Sequence, residues 1–444
     1  MRDHCAMSVG LRHDCAASSA PQVAAGFRQR KAISEWDVAA PMNERHSPAR
    51  HFATHIGRAL SDLRIEFAHH ERYTGTMSLA RSRLGATSFA RKIVAALAIV
   101  VSFAGGAACS KHLPLAAPAA PLSHPTRLCA VGEAPPACRS AHQVEQLMGG
   151  ELTILGMTDP PSGSQGAKLL TLRGMSGGRA VVFRAKWRPQ SSDNLVNESR
   201  KELAACAVQK LFLDDAESVA PPTAAYCFAL REYQAFVPTE QATFAGTDCV
   251  FGFMSYWLED ILSLGAARER GLVTGDGILD RARFERDLVY RGSLAKANLL
   301  TYVINHGDAH DDQFLLQSTA HGFRAFVVDN SISFQSIKNP MLLFREDWSQ
   351  IQVPHLPKAV VERIAKLTED DYNGLGSVAQ LQRRGGELVA VHSADAHAKS
   401  DGSAMTWNGE QLRVGLTANE IELVKSRIQQ LLTRPDLAQL TAEH

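Results

Sequence analysis

The sequence predicts an α+β fold, with strands and helices segregated along the chain. Two observations carry this expectation. From Glu151 the chain runs in short β-rich stretches separated by Gly- and Pro-bearing turns, and after Asp260 it turns mainly helical. A third observation limits the folded body. Residues before 142 show neither periodicity, so the body is expected as 142–259 followed by 260–440.

Composition narrows the function class. A hydrophobic fraction of 45% is that of a globular protein. Lys and Arg number 47 against 46 Asp and Glu, a net charge of +1, so no broad basic face exists to hold nucleic acid. Nucleic acid is excluded as a partner on that ground.

Residues 1–76 are rich in His, Arg and Ala and are broken by stretches such as "APMNERHSPARH". They are expected to be disordered, or to lie upstream of the natural start of translation. At Met77 begins "MSLARSRLGATSFARKIVAALAIVVSFAGGAACS", with basic residues through Arg91 and Lys92, an apolar run from Ile93 to Ala104, and small residues up to Cys109. Basic, then apolar, then small is the order a secretory signal peptide needs, and the apolar run falls short of the roughly 20 residues of a membrane span. Segment 77–109 is therefore read as an export signal, with Met77 as the natural start.

Cys109 after "GGAA" resembles the lipobox of bacterial lipoproteins, which implies a lipidated Cys109 as a membrane tether. Gly106 stands where that motif usually has Leu, and cleavage near Ala108 is the alternative. Residues 110–141 are Pro and Ala rich and read as a semi-extended linker. The expected location is the cell envelope, outside the cytoplasm.

Five cysteines follow Cys109. Cys129 and Cys138 flank a turn and can close a local disulfide in an exported chain. Cys206, Cys227 and Cys249 are expected as buried thiols. Their odd total leaves at least one free, and none has the CxxC spacing of a zinc site.

Within the body, "ELTILGMT", "AKLLTLRG" and "RAVVFRAKW" read as three antiparallel strands, with Val182, Arg184 and Lys186 alternating onto one face of the third. In "NLVNESRKELAACAVQKLFL" the apolar residues Leu203, Ala204, Ala207, Val208 and Leu211 have helical spacing, with Asp193 or Asn194 near the helix start. Two more strands follow, "AAYCFALREY" and "CVFGFMSYWL". The C-terminal "TANEIELVKSRIQQLL" reads as an amphipathic helix packed on the second half.

The stretch "TYVINHGDAHDDQFLL" is where chemistry is expected. Three acids and two His fall in the seven positions from His306 to Asp312, and such charges repel one another unless a cation or phosphate balances them. Phosphoryl transfer needs a cation on a strand for the phosphates, an acid on a helix to hold it, a base, and metal-binding side chains. Lys186, Glu202 (with Glu198 one turn earlier), Asp308 and the pair Gln313 and Asp329 fill those places in order. Asp329 follows the β-branched run in "RAFVVDNSISF", 21 residues after Asp308, a gap that fits a strand, a turn at "STAHG" and a second strand.

"GDAHDDQFLL" followed by "VVDNSISF" resembles the catalytic and metal-binding loops of atypical kinases. These include the phosphoinositide 3- and 4-kinases, with "GDRHxxN" and "DxG", the secreted Golgi casein kinase and four-jointed group, and the bacterial HipA-type kinases. The resemblance spans roughly 151–334. It implies a bilobal protein-kinase-like fold, with a β-rich N-lobe holding one helix and a mainly helical C-lobe. It also implies ATP and Mg²⁺ or Mn²⁺ as cofactors, and phosphoryl transfer to a hydroxyl of a protein, lipid or sugar.

By the same resemblance Asp308 is the catalytic Asp that accepts or orients the acceptor proton, Asp329 and Gln313 are metal ligands, and Lys186 is the ATP lysine with Glu202 as its partner. Gly163 and Gly166 belong to the phosphate loop "GMTDPPSGSQG", and Met254, with Phe253 and Tyr256, lies near the adenine. This sequence departs from the pattern at Gln313, where Asn is usual, at Ser331, where the "DxG" glycine is usual, and in lacking GxGxxG. Those departures keep open a catalytically inactive pseudokinase acting as an envelope binding module. A metal hydrolase on His306, Asp308 and His310 is the third reading.

Overall fold

The computed structural model describes residues 127–442, apart from 134–137, 162–165, 195–196, 275–276, 336–344 and 392–402. The segments read above as 1–76 and 77–109, and the linker up to residue 126, lie outside the described residues. The protein is α+β, with antiparallel sheets and several helices.

Part of the expected linker belongs to the packed body instead. Leu128 and Cys138 are each 1% exposed, Leu128 bridges to Arg139, and a Cys129–Cys138 disulfide closes the short loop. The Pro and Ala content around these residues hid a few apolar side chains that find a core. Helix α1 (Ala141–Met148) follows directly, started by a capping box between Ser140 and Gln143, and buries Val144, Leu147 and Met148.

The five expected strands form one sheet in the order β1-β2-β3-β5-β4, comprising β1 (Thr153–Thr158), β2 (Lys168–Ser176), β3 (Arg179–Pro189), β4 (Thr223–Ala229) and β5 (Cys249–Tyr256). β2 and β3 join through Gly177 and Gly178, both at positive φ, as a two-residue hairpin turn requires. Along β3 the alternation is as expected. Val181, Phe183, Ala185 and Trp187 are buried on one face, while Val182, Arg184 and Lys186 share the other.

Gly252 faces Pro189 in the β3–β5 ladder, where a Cβ would run into the Arg188 carbonyl and stand 2.8 Å from Pro189 Cα. Backbone cannot yield as a flexible side chain can. Gly252→Ala is expected to destabilise by about 2–3 kcal/mol, read as a lowered denaturant midpoint. An unchanged midpoint would show that the two strands can part without cost.

Helix α2 (Arg200–Lys210) lies between β3 and β4 and starts after Ser199 rather than near Asp193 or Asn194. Asp193 takes the hydrogen bonds that shape the entry, accepting the Ser199 N–H at 3.0 Å and its hydroxyl at 3.1 Å. The expectation of three buried thiols is corrected. Cys227 and Cys249 form a disulfide, and Cys206 is the free cysteine among the described residues, its thiol pushed up by burial to about 11. The pairing arises because β4 and β5 are neighbours, which spacing in sequence does not reveal.

The second half holds α4 (Leu264–Glu269), α5 (Arg281–Arg286), α6 (Leu288–Val303), α7 (Lys358–Ile364), α8 (Glu369–Gly374), α9 (Ala418–Leu432) and α10 (Leu437–Leu440), with α3 (Leu230–Gln234) before β5. The "STAHG" hairpin forms as β7 (Phe314–Thr319) and β8 (Gly322–Val327), extended by β6 (Ile261–Ser263). Helix α9 packs as expected, sinking Ile421, Val424, Ile428 and Leu431 into the core shared with α6.

A four-stranded sheet corrects the expectation of a mainly helical second half. β9 (Ala379–Arg384), β10 (Glu387–Ala390), β11 (Met405–Asn408) and β12 (Gln411–Val414) pair in the order β10-β9-β12-β11. Its apolar residues Leu381, Leu388, Leu412 and Val414 pack on Phe251, Phe253 and Leu203 of the first half. Its strands are only four to six residues long, so each shows too little of a period-two pattern to stand out.

Glu217 joins the helices from below. It pairs with Lys296 on α6 at 2.8 Å and with Arg363 on α7, and accepts the Asp214 N–H at 3.1 Å. Burial alone would raise its carboxyl, but hydrogen bonds from Lys296, the Asp214 N–H and Arg363 hold it down at about 2. Its folded pKa lies below the unfolded value of 4.5. The stabilisation is therefore complete above about pH 4.5 and is lost as pH falls toward 2, at most about 3 kcal/mol. In urea titrations from pH 7 to pH 3, Glu217→Gln should be less stable at pH 7 and lose less on acidification. Parallel curves for the two proteins would contradict this.

Candidate active site

Three elements bring charge to one place. β3 presents Lys186, the first turn of α2 presents Glu202, and the chain leaving β8 presents Asp329. Lys186 Nζ lies 3.4 Å from Glu202 Oε1 and forms an ion pair with Asp329. The other oxygen of Glu202 accepts the Asn330 N–H at 3.1 Å, so one carboxylate holds both the lysine and the turn that carries Asp329.

Burial would lower the Lys186 ammonium, yet attraction to Asp329 and Glu202 holds it well above the ordinary lysine range. Conversely, the Lys186 charge outweighs desolvation and holds the Asp329 carboxyl below its ordinary value. Both groups are charged at neutral pH.

Asp329 adopts left-handed backbone, φ 61 and ψ 44, and Asn330–Ile332 then make a single 3-10 turn. Asp tolerates this region better than most residues, but such backbone persists only where its surroundings fix it. Here the Glu202–Asn330 bond and a Glu198 N–H to Ser331 carbonyl bond at 3.1 Å do so. Ser331, standing where the resembling family has Gly, is accommodated inside that turn and is 4% exposed.

The chain after α6 supplies the acids of the opening motif, and each has a different task. The Asp308 N–H donates to His306 Nδ1 at 3.1 Å, while Asp308 Oδ2 accepts from Gln313 Nε2 at 3.1 Å. Asp308 Oδ1 lies 3.6 Å from His310 Nε2. Asp311 accepts from the Trp348 indole at 3.0 Å and the Ile278 N–H, and Asp312 pairs with Arg345 at 2.7 Å. His306 is wholly buried and its pKa is lowered by that burial, so the ring is neutral with its proton on Nε2. It supports the loop; a metal hydrolase would need its ring as a ligand.

Lys186, Glu202, Gln313 and Asp329 line one cleft of about 570 Å³. Asp308 is one hydrogen bond away, through Gln313. Ser255 to Asp260 also line it, as do Pro160 and Pro161 of the expected phosphate loop. Gly166 of that loop, at φ +74, stands against Ser192, and Gly163 lies outside the described residues.

Met254 is a correction: its side chain is wholly buried in the core under the sheet and does not line the cleft. On β5 the residues facing Lys186 are one position on, and Ser255 pairs with it in the ladder. The sequence reading also missed Arg184 and Glu259, which form a two-pronged pair in the cleft wall, with Nε to Oε1 at 2.6 Å. The signal for Arg184 was present in its alternation with Lys186.

Among the described residues no three His, Cys, Asp or Glu side chains converge as a metal-binding group. No protein-family model matches the chain, and no curated protein shows significant similarity to it.

Proposed function

We propose that the chain is an atypical kinase-like phosphotransferase of bilobal build, moving the γ-phosphoryl group of ATP to a hydroxyl of a protein, lipid or sugar. One observation carries this: an ammonium from β3 held between a helix carboxylate and a loop carboxylate, in a cleft whose volume suits a ligand. In this reading β1–β5 with α2 form the smaller lobe and the rest the larger.

Lys186, fixed by Glu202, presents its charge to phosphate oxygens. Asp308 orients the acceptor hydroxyl and takes its proton as the acceptor oxygen bonds to the γ-phosphorus and the bond to the β-phosphate oxygen breaks, releasing ADP. Asp329, its side chain 47% exposed, and Gln313 are the residues that would hold Mg²⁺ or Mn²⁺, which take hard oxygen donors. The Gln313 nitrogen is engaged by Asp308, so its oxygen is the donor that remains. Once bound, the ion offsets charge on the phosphates.

The two disulfides support an exported protein, since such bonds persist in oxidising compartments. Signal cleavage and a tether at Cys109 are proposed with it. Among the described residues no helix is long and apolar enough to cross a membrane. A second reading, a pseudokinase binding module of the envelope, is favoured by the extra methylene of Gln313 in a site where Mg²⁺ tolerates little distortion.

Thermal unfolding with Mg-ATP, with ATP and chelator, and with neither separates the two. Saturation at 100 times the dissociation constant adds about 2.7 kcal/mol. The midpoint should then rise by several degrees, and only when the metal is present. An unmoved midpoint in a folded sample would favour the binding module.

A further inference from the structure

The first turn of α2 carries two cations that phosphoryl transfer leaves without a task. Arg200 and Lys201 are 4% and 1% exposed, and such burial is costly unless each charge is met. Glu420, in the first turn of α9, meets both. Arg200 Nη1 donates to Glu420 Oε2 at 3.0 Å and Nη2 to Oε1 at 2.8 Å, and Lys201 Nζ lies 3.9 Å from the same Oε1.

Glu420 is itself held in place. Its Oε2 accepts the Thr417 N–H at 2.8 Å and the Thr417 hydroxyl at 3.1 Å, a capping box. Just before it, Gly415 accepts a further bond from Arg200 at 3.2 Å and crosses Gly376 so closely that a Cβ would meet the Gly376 backbone.

At its other end the network reaches the cleft. Glu198 accepts from Arg200 Nε at 2.9 Å, pairs with Lys201 at 2.8 Å, and donates its N–H to the Ser331 carbonyl beside Asp329. Glu202 in the same helical turn holds Lys186 and the Asn330 N–H. Thus α9, the α2 turn and the Asp329 turn are joined by charge and hydrogen bonds without a gap.

We propose that Glu420 is a positioning residue for the cleft: from the C-terminal helix it anchors the first turn of α2, and so sets where Glu202 meets Lys186 and the Asp329 turn. Its effect on turnover rests on the phosphotransferase reading, whereas the anchoring can be tested without nucleotide.

The test is acylation of Lys186 by an amine-reactive ester, followed residue by residue by mass spectrometry on the intact chain, well below its unfolding temperature. A lysine ammonium held by two carboxylates reacts slowly. Glu420→Ala should speed labelling of Lys186 at least fivefold, as should Glu202→Ala. Ile428→Ala, a core truncation in the same helix, should not. Arg200→Met, which removes the cation as well as the pair, replaces Glu420→Ala should that variant unfold.

Unchanged labelling in the Glu420 or Arg200 variant would overturn the proposal, and so would equal acceleration in Ile428→Ala, which would mean general loosening. In a second arm Glu420→Ala should weaken Mg-ATP binding at least tenfold. Absence of binding by the unaltered chain would sink the phosphotransferase reading, while the labelling still decides the anchoring.

Discussion

Lys186→Met should abolish the rise in melting temperature given by Mg-ATP and lower phosphoryl transfer by a factor on the order of 10²–10³, the loss typical of removing one preorganised electrostatic contact. The same change should have a second, nucleotide-free signature. Lys186 neutralises Glu202 and Asp329 together, so its removal leaves two carboxylates facing each other across the cleft. Without the ammonium that holds Asp329 down, its carboxyl must rise toward or above the ordinary range. The Lys186→Met protein should therefore lose stability relative to the parent near neutral pH, with the deficit shrinking as acid protonates the pair. Asp329→Asn should likewise end the metal-dependent shift while leaving the Lys186–Glu202 pair and most of the stability. If both variants still gain several degrees with Mg-ATP, the cleft is not the nucleotide site.

Replacing Cys227 and Cys249 with Ala should destabilise by about 3 kcal/mol, the chain-entropy value for a loop closed over a sequence separation of 22. Cys249 is wholly buried where the two sheets meet, so side-chain packing is lost along with the crosslink. Measured by chemical denaturation, reductant should lower the midpoint of the parent and leave that of the double variant unmoved on this account, apart from the smaller contribution of Cys129–Cys138. A parent indifferent to reductant would mean that neither crosslink constrains the unfolded chain.

The first sheet was legible because its strands announce themselves, with β-branched alternation in "RAVVFRAKW" and a Gly-Gly turn before it. Lys186, Glu202, Asp308, Gln313 and Asp329 were picked out by matching residue types to the parts that phosphoryl transfer needs; in the structure Lys186, Glu202, Gln313 and Asp329 line one cleft and Asp308 is hydrogen-bonded to Gln313. Met254 was misplaced because a one-residue step along a strand moves a side chain to the opposite face. The β9–β12 sheet escaped notice because its strands are only four to six residues long and bury just Leu381, Leu388, Leu412 and Val414. The Cys227–Cys249 bond and the Arg200–Glu420 pair join residues distant in sequence, and no local pattern encodes such a meeting.

That late sheet has a consequence for how the chain is made. The inner faces of β4 and β5 find their cover in Leu381, Leu388, Leu412 and Val414, residues synthesised more than a hundred positions after Phe251 and Phe253. A nascent chain that has emerged only as far as residue 259 would present those phenylalanines to solvent. Covering that face thus waits for nearly the whole polypeptide, whereas the opposite face of the same sheet packs mostly on residues already made, from Leu128 to Leu258.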